Sequence, residues 1–376
     1  MQLFQSVNLG GQWSSPLPEK SQAQWILAFG DRQLITNEKL QSELQLAFPS
    51  AEIVGCTTSG EIQGMELKDD SISLTALTFD EAKVRVVDAS IRDFANAVEL
   101  GKQLVEELPK DDLKHIFVLS DGQLVNGTEL VEGISLALPD DVKATGGLAG
   151  DGDRFTQTQV WHNQRIESGL VVLVGLYGKK LHIGHGHLGG WKAFGPERII
   201  TKSDKNVLYE FDGKPALELY KLLLGDYAND LPASALLFPI AMTQSDKQGT
   251  LVRTVLSIGE DQNSMTFAGN MPEGAVCQLM RAIYENLIDG ANGAASLAME
   301  NIDNIPAQLA ILISCIGRRL VLDQRVEEEL EMVAEVLSPE CVMTGFYSYG
   351  EISPLVNLGP CSLHNQTMTV TLLSEN

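Results

Sequence analysis

Two similar glycine-rich stretches of the sequence carry side chains suited to holding a small polar ligand. The first reads GCTTSGEI, from Gly55 to Ile62, and the second reads GFYSYGEI, from Gly345 to Ile352. Each stretch contains a glutamate that could receive an ammonium group, and the second adds an aromatic wall. The candidate ligand-binding residues here are Cys56, Thr57, Ser59, Glu61, Tyr347, Tyr349 and Glu351. The plainer interpretation of either glutamate alone is a solvated residue near a turn.

A cationic stretch in the C-terminal part could bind the opposite end of such a ligand. The segment AILISCIGRR is predicted as a strand followed by its exit loop, and it supplies the candidates Ser314, Cys315 and Arg318. Ligands of α/β sheets bind beyond the carboxyl ends of strands, where a guanidinium can hold a carboxylate through two hydrogen bonds. The combination predicts a zwitterion such as an amino acid. The alternative is that Arg318 and Arg319 pair with acids of the protein itself.

An internal repeat predicts the elements that position these residues. Shifted by 90 residues, Ala23 to Pro49 aligns without a gap with Leu113 to Pro139. Each copy begins with an apolar run and continues with a helical period. The periodic residues are Leu40, Leu44 and Phe48 in one copy, and Leu130, Ile134 and Leu138 in the other. A proline, a short apolar stretch and a glycine-rich turn follow, so each copy is predicted as a βαβ unit with a glycine loop at its exit.

A third copy of the unit is predicted near the C-terminus. The strand AILISC precedes a helical period of Val326, Leu330 and Ala334, and the unit then reaches the second glycine-rich stretch. Each of the three units is followed by β-rich sequence: SISLTALTF, GLVVLVGLY and QTMTVTLLS. Recurrence of the glycine loops in three units favours a shared role for them.

A segment from about Gly190 to Pro306 has no such copy. In it Val207 to Phe211 is predicted as a strand, and helices are predicted to start at Pro215 and at Pro272. The sequence therefore predicts an α/β protein of two halves, built from repeated βαβ units with added antiparallel hairpins and mixed sheets. The N-terminal half, 21–189, holds two repeats, and the C-terminal half, 190–376, holds the insert and the third repeat.

Composition excludes several classes of partner. The formal net charge of −23 would repel nucleic acids and anionic lipid surfaces. The most apolar run, Gly169 to Gly178, is half the length of a membrane span, and the N-terminus lacks the pattern of a signal peptide. A cytoplasmic globular protein is the expectation.

An enzyme is the less favoured interpretation. Cys56 or Cys315 at a glycine loop could serve as a thiolate nucleophile, with His364 or His162 as the base. No GxSxG, GxxxxGK[ST] or HExxH motif accompanies them. The sequence therefore favours a protein that binds a ligand without catalysis, with a Cys-dependent enzyme as an alternative.

The quoted stretches together resemble the FIST sensory protein family. The resemblance rests on VGCTTSGEI, ITKSDKNVLYEFDGKPALELYKLLLG, FAGNMPEG, SCIGRRLVL, GFYSYGEISPL and LHNQTMTV, and it extends from about Trp25 to Leu372. It takes in the N-terminal and C-terminal halves that define the family. The resemblance implies an input module for a small ligand, with amino acids as the suggested class, that signals through a separate partner.

The resemblance also implies a second possibility, because some free-standing members of that family are haem proteins that sense nitric oxide and control a histidine kinase. The segment LHIGHGHLGGW supplies His185 and His187, which point to the same face of an extended chain. These two residues and Cys56 are the candidates for an axial haem ligand. The plainer interpretation of the histidines is polar residues at a sheet edge.

Overall fold

The computed structural model describes residues 1–243, 249–355 and 359–376, and it arranges them in four β-sheets with flanking helices. The α-helices are α1 (Arg32–Ile35), α2 (Glu38–Ala47), α3 (Ala97–Glu107), α4 (Gly127–Ala137), α5 (Ala216–Leu224), α6 (Tyr284–Asn301), α7 (Ile316–Leu322) and α8 (Val326–Val336). Short 3₁₀ helices lie at Ile91–Asp93, Gly225–Asp230, Ala233–Leu237, Glu260–Gln262 and Asp323–Arg325.

The strands in chain order are β1 (Gln2–Leu9), β2 (Gln12–Trp13), β3 (Trp25–Gly30), β4 (Glu52–Thr57), β5 (Glu61–Gln63), β6 (Glu66–Lys68), β7 (Ser71–Thr78), β8 (Lys83–Ser90), β9 (Leu113–Ser120), β10 (Lys143–Leu148), β11 (Val160–His162), β12 (Arg165–Glu167), β13 (Leu170–Tyr177), β14 (Leu181–Leu188), β15 (Lys192–Asp204), β16 (Val207–Phe211), β17 (Lys214–Pro215), β18 (Ile240–Thr243), β19 (Thr250–Arg253), β20 (Val255–Gly259), β21 (Ser264–Phe267), β22 (Val276–Arg281), β23 (Leu309–Cys315), β24 (Val342–Ser348), β25 (Gly350–Pro354), β26 (Cys361–His364) and β27 (Met368–Glu375).

Three sheets share one plan, and this confirms the predicted three-fold repeat. In each sheet two strands joined through a helical segment run parallel: β3 with β4, β9 with β10, and β23 with β24. A return strand, β7, β13 or β27, then runs antiparallel to the first of the pair. We call these the first, second and third sheets. They mix parallel and antiparallel strands, as the sequence predicted for an α/β fold.

The units exchange their hairpins in a cycle. The hairpin β5–β6 of the first unit joins the third sheet, β11–β12 of the second unit joins the first sheet, and β25–β26 of the third unit joins the second sheet. Each hairpin leaves its own unit at the predicted glycine loop. The glycine loops are therefore the crossing points that tie the three sheets together.

One glycine at the same position of each second strand permits close strand contact. A Cβ atom on Gly55 would lie 1.9 Å from the carbonyl oxygen of Ala28, and one on Gly345 would lie 1.8 Å from that of Leu312. Gly146 is the equivalent residue of the second unit, with a distance of 2.0 Å to the carbonyl oxygen of Val118. No other residue type fits there without moving the neighbouring strand.

The central core lies between the three sheets. Trp25 packs on Phe117 with ring centroids 5.7 Å apart, and Phe29 packs on Phe346 at 4.7 Å, which links the first sheet to the other two. The helices cover the outer faces of the sheets: α2 the first, α3 and α4 the second, and α6 and α8 the third. Every sheet of the repeat is thus buried on both faces, which explains its nearly continuous apolar strands.

The insert, which follows β14 and precedes α6 in the sequence, forms a fourth sheet. Its strand order is β19-β18-β22-β15-β16-β21-β20, with β17 beside β16. The strand Val207–Phe211 and the helix after Pro215 are as predicted. The helix predicted from Pro272 is wrong, because Val276–Arg281 is strand β22 and pairs with β15 and β18. Because β22 has a pairing strand on each side, the sheet stabilises the extended conformation of this segment over the helix that its local pattern favours.

No helix of the described residues is long and apolar enough to cross a membrane. The division into halves at 21–189 and 190–376 stays a prediction, as does a cytoplasmic location.

Candidate functional site

The three glycine loops meet at the carboxyl ends of the second strands. The N–H group of Ser59 donates to the carbonyl of Tyr347 at 2.8 Å, and the N–H of Tyr349 donates to that of Leu148 at 3.2 Å. The N–H of Gly150 donates to the carbonyl of Thr57 at 2.9 Å. Each loop therefore bonds to the next, and the stretches singled out in the sequence form one junction.

A cavity of about 270 Å³ opens beside this junction, at the end of β9 and the start of α4. One wall is the segment from Gly122 to Gly127, which joins that strand to that helix. A second wall comes from the insert, through Asn206, Leu256 and residues 267–269. The glycine-loop side contributes Leu148 and Tyr349. This is the position in an α/β sheet at which ligands bind.

Polar contacts join the insert wall to the second unit. The side chain of Asn126 accepts the N–H groups of Thr128 and Glu129, at 3.0 and 3.1 Å, and so caps α4. Its amide nitrogen donates to Asn270 of the insert at 3.1 Å. Lys205 of the insert reaches Glu129 at 2.8 Å. The cavity thus lies between two parts of the chain that these polar contacts connect.

Aromatic side chains close the other end of the cavity. Phe155 stacks on Tyr349 with the ring centroids 4.6 Å apart. The hydroxyl of Tyr349 donates to the carbonyl of Gly152 at 2.9 Å and accepts the N–H of Phe155 at 3.2 Å. These bonds fix the ring beside the glycine loops. Among the predicted ligand-binding residues, Tyr349 is the one that lines this cavity.

Sequence reasoning missed most of the cavity lining. Gln123 and Leu124 stand in a stretch that the repeat alignment matched to Gln33 and Leu34, but no role was attached to the match. The FAGN stretch, which supplies Phe267, contributes to the resemblance to the FIST family but contains no residue type that predicts a ligand site. Asn206 and Leu256 carried no signal, because only the packing of the insert brings them here.

Glu61 and Glu351 are buried rather than solvated. Glu61 accepts the hydroxyls of Thr58 and Ser71 at 2.5 and 2.7 Å. Burial raises the pKa of both carboxyl groups to about 8, although their hydroxyl donors oppose the shift. Each carboxyl is therefore mostly protonated at pH 7 and does not offer a negative charge to an ammonium group.

Arg318 is engaged inside the protein. Its guanidinium donates to the carboxylate of Glu329 at 2.7 and 3.0 Å, and both side chains are fully buried. The same carboxylate accepts the hydroxyls of Ser314 and Tyr347 at 3.0 and 2.6 Å. The fold thus brings three predicted site residues together around one internal acid. Arg319 pairs with Asp69 at 2.6 Å.

The remaining predicted residues also have internal partners or are enclosed. The hydroxyl of Thr57 accepts the N–H of Gln159 at 3.0 Å, and that of Ser59 donates to the carbonyl of Gly152 at 3.4 Å. Cys56 and Cys315 are buried. Ligand binding by these residues stays a prediction, and the cavity beside Tyr349 is the better placed candidate.

Family models match nearly the whole of the described fold. The FIST N domain matches residues 24–214, and the FIST C domain matches residues 216–354. The chain belongs to the FIST family. FIST domains are associated with the sensing of small ligands in signal transduction, and the family is sensory rather than catalytic.

This FIST protein is also similar to an uncharacterized protein of Methanocaldococcus jannaschii. The two are 24% identical over 350 residues, which cover 81% of this chain and 64% of the relative. The chain thus spans less than two thirds of the length of that relative.

The residues predicted as haem ligands lie apart from the cavity beside Tyr349 in this FIST protein. The rings of His187 and His364 pack against each other with centroids 4.0 Å apart. Burial lowers the pKa of His185 and of His187 to about 4, which keeps both imidazoles in the neutral form that binds iron, and burial raises the pKa of Cys56. None of the three lines the cavity described above. An axial ligand must face a flat space large enough for a macrocycle, and haem binding through these residues stays a prediction.

The geometry also disfavours a Cys-dependent enzyme. Burial raises the pKa of the Cys315 thiol as well as that of Cys56, so both are neutral thiols and poor nucleophiles at pH 7. The Nε2 atom of His364 lies 3.1 Å from the carbonyl oxygen of Ser353, and His162 lies between Asp88 and Glu52. Neither imidazole contacts a cysteine among the described hydrogen bonds.

Proposed function

We propose that this chain is a sensory protein that binds an amino acid, or a molecule of similar size and polarity, and signals through a separate partner protein. The single observation that carries the proposal is the cavity between the second unit and the insert. It combines a glycine-loop side chain, Tyr349, with the start of α4 and the insert wall. The sensory role of FIST domains supports the class of function.

The lining of the cavity suits a ligand with both polar and apolar parts. Side-chain amides come from Gln123, Asn126 and Asn206. The amide of Asn126 already caps α4, and that of Asn206 donates to the carbonyl of Phe267 at 2.9 Å, whereas the amide of Gln123 makes no hydrogen bond with the described residues and can meet a ligand. Apolar surface comes from Phe155 and Leu256. The volume of about 270 Å³ is at the lower end of the range for small-molecule sites, which favours a ligand the size of an amino acid.

The position of the cavity offers a means of signalling. A ligand that touches both walls favours one arrangement of the insert relative to the second unit. The contacts that would respond are Asn126 to Asn270 and Lys205 to Glu129, which are exchangeable polar pairs. The partner, for example a histidine kinase, would read that arrangement. Because the net charge is −23, we expect the partner to present a basic face and the complex to weaken as salt rises.

Ligand binding can be tested by thermal unfolding in the presence of each of the twenty amino acids. A ligand specific to the folded state stabilises it by about 2.7 kcal/mol at a hundredfold excess over Kd, so the melting temperature should rise. The variant Leu256→Trp should abolish the rise, because the larger ring fills the cavity.

The matched control is Leu222→Trp, which places the same ring on an exposed face of α5, where Leu222 is 76% exposed. It should leave the rise unchanged. The proposal fails if no amino acid at millimolar concentration shifts the wild-type protein. Recovery of a chemically altered ligand after incubation would instead favour an enzyme.

A further inference from the structure

Arg253 is a buried cation without a carboxylate partner in the part of the chain that the structure describes. It ends strand β19 and is 2% exposed. Its Nη1 atom donates to the carbonyls of Leu363 and Val252 at 3.0 and 3.3 Å, and Nε donates to that of Asn270 at 3.4 Å. Its Nη2 atom has no acceptor among the described residues.

Arg318, which is also fully buried, differs from Arg253 in having a carboxylate counter-ion. Arg318 is paired with the buried Glu329 at 2.7 Å, which offsets the cost of removing its charge from water. For Arg253, burial lowers the pKa to about 10, so the group is still charged at neutral pH. Among the described residues, its hydrogen-bond partners are backbone carbonyls. A buried charge that lacks a counter-ion is energetically costly and is expected where a ligand supplies one.

The guanidinium borders a second cavity, of about 750 Å³, on the far side of the contact between Asn126 and Asn270. Its apolar walls are Val131 and Leu136 of α4 on one side, and Met242 and Leu251 of the insert on the other. The acid in its lining, Glu132, is exposed.

A glycine of the same chain, Gly269, leaves room for the side chain of Arg253. A Cβ atom on Gly269, in the FAGN stretch, would lie 2.8 Å from Nε of Arg253. A larger residue at Gly269 would therefore displace the guanidinium from its three carbonyl partners. The side chain is held in a defined position with one nitrogen unused.

We propose that Arg253 is the anchor of a second binding site, separate from the cavity beside Tyr349, that takes a small organic carboxylate with an apolar tail. The carboxylate accepts hydrogen bonds from Nη2 and provides the missing negative charge. The tail packs between α4 and the insert, against Val131 and Leu251.

The test uses the full chain and 4-methylpentanoate as the probe, with 4-methylpentanamide as its uncharged isostere. Calorimetric titration should detect the carboxylate and not the amide. Arg253→Gln should weaken carboxylate binding at least tenfold, since a hydrogen bond to a charged group is lost. Arg253→Lys, which keeps the charge, should retain more affinity than the glutamine variant. Arg281→Gln removes the same charge from an exposed position of the insert sheet and should change nothing.

Methyl NMR spectra of the wild type locate the probe independently of any variant. Signals of Leu251 should move with the carboxylate, while those of Leu256, which lines the first cavity, should not. Absence of carboxylate binding at 10 mM overturns the inference, as does equal binding of the amide or of inorganic phosphate. Retained affinity in Arg253→Gln overturns it as well. If amino acids still bind beside Tyr349 in that case, the proposed sensory function stands and only the second site falls.

Discussion

Glu61 and Glu351 occupy equivalent positions in the first and third units, and each carboxyl is held by the hydroxyl three residues before it. Thr58 donates to Glu61 at 2.5 Å, and Ser348 donates to Glu351 at 2.7 Å. A hydroxyl at the start of each return strand completes the pair of bonds: Ser71 in one unit and Thr367 in the other. The matching residues of GCTTSGEI and GFYSYGEI therefore form the same internal hydrogen bond, from a hydroxyl to a glutamate, in the first and third units.

This contact predicts a loss of stability as pH rises from the acidic range through neutrality. The pKa of each carboxyl is raised to about 8 in the folded protein, above its value of 4.5 in the unfolded chain. The folded state thus keeps protons that the unfolded state has lost. The free energy of unfolding should fall as pH rises from about 4.5 through 8, by at most about 1.4 kcal/mol per pH unit for each group. Urea unfolding between pH 5 and 8.5 measures this slope.

The double variant Glu61→Gln/Glu351→Gln should flatten the slope, because the amide keeps the shape without the titration. Glu340→Gln, at an exposed position, is the matched control and should keep it. An unchanged slope in the double variant would show that these carboxyl groups ionise normally in the folded protein.

His162 should steepen the same loss of stability at higher pH. Burial would lower its pKa, but hydrogen bonds and charge from Asp88 and Glu52 raise it to about 9. Its stabilising contribution is complete below the unfolded value of about 6.5 and is lost as pH rises through 9. His162→Gln should remove this component from urea unfolding curves at pH 7 to 9.5. Removing the exposed charge of Lys114 by Lys114→Gln should leave the curves unchanged, and a histidine variant that behaves like that control would contradict the prediction.

Substitution at the repeated glycine should destabilise each unit. Gly345→Ala places a methyl group 1.8 Å from the carbonyl of Leu312, so the parallel strands must separate. We expect a loss of at least about 2 kcal/mol in the free energy of unfolding, and similar losses for Gly55→Ala and Gly146→Ala. Gly293→Ala in α6 is the control, since its methyl would meet only the tip of the exposed Leu188. Comparable unfolding midpoints for Gly345→Ala and the control would refute the close strand approach.

The internal acid of the third unit should matter far more than a surface acid on the same helix. Glu329→Gln leaves Arg318 buried without a counter-ion and should cost about 3 to 5 kcal/mol of stability. Glu328→Gln removes one acid paired with Arg325, whose side chain is 38% exposed and also reaches Glu285 at 3.2 Å, and should cost less than about 1 kcal/mol. Chemical unfolding at pH 7 compares the two. Equal effects would mean that Arg318 is not engaged with Glu329 and is free for a ligand.

Haem should not bind through the predicted ligands. Because the partly buried His187 packs against the buried His364, added haemin should keep the absorption spectrum of free haemin. His187→Ala, His185→Ala and Cys56→Ala should give the same spectrum as the wild type. A sharp band near 400 nm in the wild type that any one of these variants abolishes would restore the haem alternative.

The amino-acid sequence by itself determined the repeated units and most of their elements. Strands such as β3 and β9, and the buried positions Leu40 and Leu130 of α2 and α4, follow from periods read within a few turns of chain. The helix predicted over the segment of β22 is wrong because a local period does not report the strands that pair with it, and β15 and β18 come from distant sequence. Local pattern therefore gave the units but not every pairing.

Only the tertiary structure decided which chemistry-bearing residues are free. Arg318 and Glu329 lie 11 positions apart, and no pattern in the sequence says that they pair in the interior. Arg253 donates a hydrogen bond to the carbonyl of Leu363, 110 positions away. Leu256 and Tyr349 line the same cavity, the one of about 270 Å³, although they are far apart in the sequence. Burial and hydrogen-bond partners are properties of the packed chain. They show that several predicted ligand residues make internal contacts, and that Arg253 has no carboxylate partner among the described residues.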